Sequence, residues 1–351
     1  VALPAEPNGI PDGRVAARFD GLSFKARRPM PGLRNVSGRV SGDSRGGSLQ
    51  LDSRELGFAM PWLFREPLAV AAAAATVEWA RDDGGLRVSV PSLELSNADA
   101  SVSAHGELQV PADDSSPILE MEAVARDVTL SVAPGYLPVG KLPEKVVSWL
   151  DRALRGGQVG EAQVVFRGAT RQFPFRNDEG LFRAEFDISG GELEFDPGWP
   201  EATGLEASVR FENEGLWADV RDGRLLQVEA GPATVSIPDL RQGQLSIEGE
   251  ARGELAELRE FVLASTLLAR LLGPGLEPAE IGSGRATADV TLSLPLRELK
   301  NTRAQVELEV TDAVLGYSFL GEPLRDINGT ISIDNARVWS SGLSATLAGS
   351  P

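Results

Sequence analysis

The feature that most constrains this chain is the alternation of apolar and polar residues that recurs along most of its length. Successive side chains of a β-strand point to opposite faces, so this alternation predicts strands that each carry one apolar face. Roughly two dozen strands of about four to ten residues are predicted on this basis. The clearest are SVSAHGELQV (101–110), EAQVVFRG (161–168), FRAEFDIS (182–189), LEASVRF (205–211) and RATADVTLSL (285–294).

Turn-forming dipeptides separate the predicted strands: Asp83-Gly84, Gly190-Gly191, Asp222-Gly223 and Gln242-Gly243. Short turns join antiparallel neighbours, whereas parallel pairing needs long crossovers, so the sequence predicts antiparallel meanders. The alanine run 71–75 is ambiguous because alanine favours helices. It continues into TVEWA, RDDGG and LRVSV, which is the pattern of a hairpin, and we interpret it as a strand.

A short internal repeat indicates how the strands are organised. LRNVSGRVSG (33–42) and LRDINGTISI (324–333) share Leu, Arg, an aliphatic residue, Gly and a second aliphatic residue at the same offsets. ATGLEASVRF (202–211) is a weaker copy, with Ala207 in place of the glycine. The alignment places Gly329 inside a strand, at a bulge, although Asn-Gly alone would suggest a hairpin turn. Recurring multi-strand units predict a quasi-one-dimensional stack and not a globule around one central core.

One amphipathic helix is predicted near 142–155. Pro143 suits its first turn, and Gly156-Gly157 is expected to end it. We expect its apolar arc to lie against an apolar β-surface, either covering the end of a repeat or plugging a groove. The packing candidates on that arc are Val146, Trp149, Leu150 and Leu154.

A second helix is predicted near 254–272. It begins amphipathic and becomes apolar on all sides through LLARLL, before Gly273-Pro274. A helix that is apolar all round is buried or lies against another apolar surface.

Composition excludes several classes of partner. The formal net charge of the 351 residues is −17, which repels phosphate backbones and anionic lipid surfaces, so we expect no nucleic-acid partner. The sequence has no cysteine, which excludes disulfides and thiolate metal sites. It has no apolar run long enough for a transmembrane helix. Because it lacks an initiating Met and stops abruptly, we interpret it as a piece of a longer protein.

Catalytic signatures are also missing from the sequence. The single histidine, His105, lies in an alternating strand, where a structural or surface role is usual. The carboxylate pairs Asp82/Asp83 and Asp113/Asp114 fall in turn-like stretches, where Asp is expected for backbone reasons. No nucleophile elbow, zinc-binding helix, phosphate loop or calcium loop is present. We therefore predict a protein that is not an enzyme and holds neither cofactor nor metal.

The apolar strand faces leave two interpretations open. They pack against one another or around the helices, as most such faces do, or they line a long groove that holds acyl chains. Alternation alone does not decide between them.

The segment 136–175 contains a characteristic series of motifs: Leu137-Pro138, Trp149-Leu150, Gly156-Gly157, a strand that ends at Gly168, and Phe173-Pro174-Phe175. In their order and spacing these motifs resemble a segment of the AsmA-like superfamily, and most of all its YhdP-like members. FDISGGELEFDPGWPEATGLEASVRFENEGL, ELREFVLAS and SGRATADVTLSLPL resemble the same family. The match covers 136–351 well, and the earlier part through the repeat. The expected Ser-Pro after a shorter second helix is replaced by LASTLLARLLGPG, a departure from the family pattern.

This resemblance implies a mostly β fold: a long, strongly bent and grooved antiparallel sheet built from repeats, with the two helices. It implies a periplasmic position in a Gram-negative bacterium, within a longer protein anchored in the inner membrane. It also implies phospholipid transport, with acyl chains in the groove and both membranes contacted through parts outside this chain. It specifies no protein partner. The alternative left open is a structural or assembly scaffold for outer-membrane biogenesis that carries no lipid.

Groove-lining candidates follow from the alternation of the strands. They are Val164, Phe166, Phe186, Ile188, Val209, Phe211, Leu292, Leu294, Ile331 and Ile333. The predicted division of the chain is a β repeat unit at 1–135, a helix insertion at 136–157, a β repeat unit at 158–253, the second helix at 254–275 and a further β repeat unit at 276–351.

Overall fold

A computed structural model describes residues 13–28, 30–270, 279–317, 321–335 and 337–347. The described strands belong to one antiparallel sheet of 18 strands, so the predicted mostly β, antiparallel fold is confirmed. The strands are β1 (Val15–Phe24), β2 (Gly32–Gly42), β3 (Gly46–Ala59), β4 (Leu68–Asp82), β5 (Gly85–Ser96), β6 (Ser101–Pro111), β7 (Ile118–Thr129), β8 (Leu154–Ala169), β9 (Leu181–Leu193), β10 (Ala202–Glu212), β11 (Gly215–Leu225), β12 (Val228–Ile237), β13 (Gln244–Glu254), β14 (Ala279–Pro295), β15 (Arg303–Tyr317), β16 (Leu324–Asp334), β17 (Arg337–Ser340) and β18 (Ser344–Leu347).

Two α-helices interrupt the strands: α1 (Glu144–Ala153), between β7 and β8, and α2 (Leu255–Ala264), between β13 and β14. Short 3₁₀ segments lie at Leu130–Tyr136, Val139–Lys141 and Leu299–Asn301.

Strand order in the sheet follows chain order. Within β1–β7 and within β10–β16, each strand pairs with the next, always antiparallel. The two short strands β17 and β18 both pair with β16. The alanine run lies in β4 and pairs with β3 and β5, so its prediction as a strand is confirmed.

The described residues contain 18 strands of 4 to 17 residues, against the roughly two dozen shorter ones predicted, and two of the expected turns lie inside strands. Asp83-Gly84 and Gln242-Gly243 do separate strands, as predicted, but Gly190-Gly191 lies within β9 and Asp222-Gly223 within β11. Gly190 has φ +59°, and the side chain of Glu206 accepts its N–H at 2.8 Å. The left-handed residue is thus stabilised as a bulge, and the strand continues.

The chain divides into two compact units. Unit 1 comprises Val1–Val128, Gly135–Pro143 and Glu161–Ala184. Unit 2 comprises Thr129–Pro134, Glu144–Gly160 and Glu185–Pro351. The division of the chain proposed from the sequence stays a prediction.

The sequence repeat corresponds to a recurring bulge. Its three copies lie in β2, β10 and β16, and each has a left-handed residue at its third position. These residues are Asn35 (φ +60°), Gly204 (φ +61°) and Asp326 (φ +52°). Each copy therefore carries the same local irregularity at the same place.

The preceding strand carries a matching left-handed residue in every copy: Gly21 in β1, Gly190 in β9 and Asp312 in β15. The N–H of that residue donates to a side-chain oxygen at the fifth position of the repeat. The three bonds are Gly21 to Ser37 Oγ at 3.1 Å, Gly190 to Glu206 Oε1 at 2.8 Å and Asp312 to Asn328 Oδ1 at 3.0 Å. A polar side chain thus satisfies the N–H that the bulge removes from the ladder.

The first helix is shorter than predicted. It ends at Ala153, so the prediction that Gly156-Gly157 ends it is wrong: both glycines, like Leu154, belong to β8. The carbonyl of the buried Ala153 accepts the N–H of Glu194 at 2.9 Å, which ends the helix early. Gly157 is needed for close approach of the strands, since a Cβ there would lie 2.7 Å from the Cα of Gly191.

The second helix is interrupted. It begins after Glu254, whose N–H donates to the Glu257 carboxylate at 3.0 Å, and α2 ends at Ala264. Ser265 is fully buried, and its hydroxyl donates to the carbonyl of Phe261 at 2.8 Å. Residues 266–270 are helical again. The predicted end at Gly273-Pro274 lies outside the described residues.

We predict that Asn328→Ala lowers the free energy of unfolding by about 1 kcal/mol or slightly more. The change leaves the N–H of Asp312 without its acceptor and removes the bond from Asn328 Nδ2 to the Asp326 carbonyl. Urea unfolding followed by circular dichroism measures the effect. The control is Ser332→Ala on the same strand, expected to stay within about 0.5 kcal/mol of wild type. Equal midpoints for the two variants would contradict a stabilising role for this side chain.

Candidate functional site

The apolar face of unit 2 follows directly from the strand registers. Residues directly opposite each other in an antiparallel pair lie on the same face of the sheet. The pairing of each strand therefore identifies which residues of the next strand lie on that face. From β10 to β16 no residue on this face is charged. The residues are Ala207, Val209, Phe211, Leu216, Ala218, Val220, Ala233, Val235, Ile237, Leu245, Ile247, Gly249, Ala251, Ala286, Ala288, Val290, Leu292, Leu294, Ala304, Val306, Leu308, Val310, Gly329, Ile331 and Ile333.

The opposite face of the same strands is polar. It carries, for example, Ser208, Asp219, Thr234, Glu248, Asp289, Glu307 and Ser332. The two aromatic residues on it, Trp217 and Trp339, are the exceptions, and the guanidinium of Arg210 lies 5.0 Å from the Trp217 ring centre. The sheet of unit 2 is therefore amphipathic.

Eight of the groove-lining candidates lie on this apolar face. Six occupy β10, β14 and β16: Val209, Phe211, Leu292, Leu294, Ile331 and Ile333. The Phe186 ring on β9 stacks on that of Phe211 with centroids 6.4 Å apart, and Ile188 alternates with Phe186. That these side chains contact a lipid stays a prediction.

Unit 1 has an apolar face of the same kind. The registers of β3–β7 place on it Leu49, Leu51, Ala73, Ala75, Val77, Leu93, Leu95, Val102, Ala104, Leu108, Leu119, Met121 and Ala123. The opposite face includes Glu78, Glu94, His105 and Glu122. His105 is exposed there, with Nε2 3.7 Å from the Glu122 carboxylate.

The remaining two candidates, Val164 and Phe166, lie on β8 in unit 1. On this strand Glu161 and Arg167 form ion pairs with Arg126 and Glu122, the latter a residue of the polar face. The even-numbered Val164 and Phe166 therefore point to the other side. Phe166 joins a cluster with Phe173, Phe175 and Phe182, with ring centroids 5.2 to 6.4 Å apart. The sequence predicted Phe166, but its partners in the Phe-Pro-Phe loop were not nominated.

The apolar face of unit 1 is mostly uncovered. Its buried cluster consists of Val36, Leu56 and Ala73, near one end of β2–β4. The large side chains on β5–β7, such as Leu93, Leu108 and Met121, are only half-buried. At the turn end lies a cleft of about 470 Å³, lined by Val77, Trp79, Leu86 and Val88 with Asp43, Ser44 and Arg81.

Unit 2 is covered unequally. One buried cluster joins Leu267 to Leu292, Leu294 and Ala304, and another contains Ala286, Val310, Ala313 and Ile327. Leu255 and Leu258 of α2 pack on the second cluster. Helical residues thus cover the face of β14 and β15.

The α1 candidates occupy mixed surroundings. Val146 and Trp149 are 40% and 37% exposed, while Leu150 is half-buried. Leu154 is half-buried at the start of β8, so it is not a helix residue. The Trp149 indole N–H donates to the carbonyl of Phe195 at 2.8 Å. That α1 covers a repeat end or plugs a groove stays a prediction.

An aromatic chain leads from this point towards α2. The Phe195 ring lies 5.6 Å from that of Trp199, and Trp199 lies 6.1 Å from Phe261 of α2. This row of aromatic side chains could not be predicted from residue spacing, because Phe195 and Trp199 lie in a loop and Phe261 lies more than 60 residues later in a helix.

Local hydrogen bonds explain the lowered pKa values of the Asp113 and Asp239 carboxyl groups. The pKa of Asp113 is lowered by the hydroxyl and N–H of Ser115, and that of Asp239 chiefly by the N–H of Arg241. Burial, together with a hydrogen bond to Asp99, raises the pKa of the Tyr136 hydroxyl. In the described part of the chain, no three His, Cys, Asp or Glu side chains are grouped as metal ligands would be. No described helix is long and apolar enough to cross a membrane.

Fold and faces together define an amphipathic antiparallel sheet protein with uncovered apolar surface in each unit. Comparison with known proteins identifies its family: the model described as YhdP protein matches residues 2–351, and the chain belongs to that family. It is 26% identical over 341 residues to the "Intermembrane phospholipid transporter YhdP" of Escherichia coli (strain K12). That match covers 96% of this chain and 26% of the relative, so the chain spans about a quarter of the relative's length. No solved structure matches.

Because helical residues cover only part of the apolar face of unit 2, truncating side chains on that face should lower the free energy of unfolding by different amounts. Leu292→Ala, in the covered part, is expected to lower the free energy of unfolding by about 3 kcal/mol, because it leaves a cavity under helical residues. Val235→Ala, where the face is half-buried, should cost about 1 kcal/mol, since water already reaches the side chain. Chemical denaturation of both variants tests this. Similar losses would show that the face of β12 is packed as tightly as that of β14.

Proposed function

We propose that this chain is part of a non-enzymatic phospholipid transporter and that its apolar faces shield acyl chains. The observation that carries the proposal is an apolar face in each unit, uncharged from β10 to β16 in unit 2 and with Arg81 at its edge in unit 1, much of it only half-buried. In this proposal the longer protein moves phospholipid between the inner and outer membranes across the periplasm and maintains the lipids of the outer membrane. Support comes from the family and from the relative's description as an intermembrane phospholipid transporter.

The physical basis is the transfer of hydrocarbon out of water. Each CH₂ group removed from water contributes about 0.8 kcal/mol, so a continuous apolar surface holds an acyl chain without headgroup contacts. Backbone N–H and C=O groups of the sheet are paired between strands, and an acyl chain needs no hydrogen bond from them. The polar headgroup can stay in water at the edge of the face. No residue is assigned to headgroup recognition.

Several properties agree with a carrier that does no chemistry. The single histidine is exposed on the polar face, away from the apolar residues. The carboxyl groups with lowered pKa values stay ionised near neutrality, which suits turn geometry and not general-acid catalysis. A net charge of −17 disfavours nucleic acid as a partner. Contacts with both membranes, and the inner-membrane anchor, are proposed to lie in the longer protein outside this chain.

The second candidate function is a periplasmic scaffold for outer-membrane assembly that carries no lipid. The observation in its favour is the covered part of unit 2, where Leu292 and Ala304 are packed as ordinary core residues. If other parts of the longer protein covered the remaining apolar surface, no surface would be left for lipid and the protein would act as a scaffold.

Lipid carriage is tested on the chain purified without detergent from a Gram-negative host. Native mass spectrometry should show the 37.3 kDa chain together with phospholipid masses. Val235→Glu should lose most of this lipid, because a carboxylate on the apolar face costs free energy when an acyl chain covers it. Ser236→Glu is the matched control on the polar face, opposite Trp217 and Ser246, and should retain lipid. Lipid-free wild-type protein would favour the scaffold.

The same reasoning extends to transport by the longer protein that contains this chain. Glutamate in place of Phe186 or Ile333, both on the apolar face of unit 2, should abolish complementation of outer-membrane lipid defects while the protein still folds and accumulates. Protease resistance and protein level are the folding readouts. Loss of folded protein in these variants would mean that the two side chains are core residues instead.

A further inference from the structure

We infer that acyl chains bind unit 2 on the face of β10–β12 and are kept off the face of β14–β15 by α2 and the helical residues after it. This inference rests on the proposed function and assigns the position of the lipid within it. We call the apolar residues of β10–β12 the open strip. They are Ala207, Val209, Phe211, Leu216, Ala218, Val220, Ala233, Val235 and Ile237. We call the apolar residues of β14–β15 from Ala286 to Leu294 and from Ala304 to Val310 the covered strip.

The two strips differ in burial. In the covered strip six of nine side chains are buried, namely Ala286, Ala288, Leu292, Leu294, Ala304 and Val310, and Val290, Val306 and Leu308 are half-buried. In the open strip only Ala207 is buried, and the other eight side chains stay half-buried, including Phe211 and Ile237. Strands of both strips have a hydrogen-bonded neighbour on each side. The difference therefore comes from what lies over the face and not from the sheet itself.

Helical residues lie over the covered strip from one end to the other. Leu255 and Leu258 pack at the end marked by Ala286 and Val310, and Leu267 packs at the end marked by Leu294. Ala286 and Leu294 are separated by about 27 Å of strand. The helical rise from Leu255 to Leu267 is about 18 Å, and side chains extend this reach. The helical segment thus follows the strand direction and occupies the place of an acyl chain.

The cover is held at both ends. At its start, Arg285 Nε lies 3.0 Å from the carboxylate of Glu254, the residue before α2. At its end, the N–H of Thr266 donates to the carbonyl of Gly198 at 2.7 Å, beside the contact between Phe261 and Trp199. The first contact is an exposed pair across β13 and β14 and the second is one hydrogen bond after α2, and together they mark where the helical segment begins and ends beside the sheet.

The chemistry of the open strip selects its occupant. The strip has neither a charge nor a side-chain hydrogen-bonding group, and its backbone groups pair within the sheet. A peptide segment laid on it would bring N–H and C=O groups without partners, at a cost of about 1–3 kcal/mol each. An acyl chain brings none. Two strand spacings, about 10 Å, separate β10 from β12, so the strip is wider than one extended hydrocarbon chain.

The test uses the whole wild-type chain with a phospholipid that carries a nitroxide on its acyl chain, and methyl NMR of valine and leucine. We expect the methyl signals of Val209, Leu216 and Val235 to broaden several-fold more than those of Leu292 and Leu294. The unlabelled phospholipid is the matched control. Equal or stronger broadening in the covered strip would overturn the inference, while lipid binding, and with it the proposed function, would stand.

A second measurement places a photoreactive benzoylphenylalanine at Phe211, in the open strip, or at Leu294, which is buried beside Leu267 in the covered strip. Irradiation with phospholipid should give several-fold more lipid adduct at Phe211 than at Leu294. Urea midpoints close to wild type verify that both variants fold, and the NMR comparison needs no substitution at all. More adduct at Leu294 than at Phe211 would refute the assignment. No adduct and no broadening at either strip, in protein free of co-purified lipid, would instead overturn the proposed function.

Discussion

Everything in this structure depends on sequential antiparallel pairing, which keeps residues opposite each other on the same face. A slip of one residue in any pair would move the apolar side chains of that strand to the polar side. From β10 to β16 the registers hold an uncharged face over seven strands, although no single strand is apolar throughout. The amphipathic sheet is thus a property of the pairing and of the alternation together.

The bulges show how strictly this constraint is kept. A bulge adds one residue and would invert the alternation beyond it. In β15 the face passes from Val310 to Ala313, three residues on, and in β16 it passes from Ile327 back to Leu324. All four residues belong to or pack against one apolar cluster, so the apolar pattern shifts by one residue at the same place as the backbone. The sequence repeat marks the places where the apolar pattern shifts together with the backbone.

Much of this was predictable from the sequence, and the exceptions have a common cause. Alternation identified the strands around Val209, Leu292 and Ile331 and placed them on a shared face, because period two is a local property. It misread Gly190-Gly191 as a turn, since the acceptor that stabilises this bulge, Glu206, lies 16 residues away on the next strand. It extended α1 to Leu154 for the same reason: the partner that ends the helix at Ala153 is the N–H of Glu194, far along the chain.

The candidate site also has one part that could be predicted from the sequence and one that could not. The face to which a residue belongs could be predicted, but not whether anything lies over that face. Val235 and Leu292 are equivalent in pattern and in strand environment, and they differ because helical residues cover only the second. Alternation carries no information on what lies over a face, so the candidates include the covered Leu292 and no residue of β11 or β12, where the face is half-buried.

Because the apolar face is only partly covered, the chain can keep a stable core and still offer apolar surface for the proposed lipid carriage. A sheet whose apolar face were wholly open would have little core, and this chain has no cysteine to supply disulfides instead. The clusters under α2 and around Val36 bury side chains whether or not lipid is present, so each unit has a core of its own. The uncovered apolar surface that remains would favour association between copies, and a net charge of −17 opposes this by mutual repulsion.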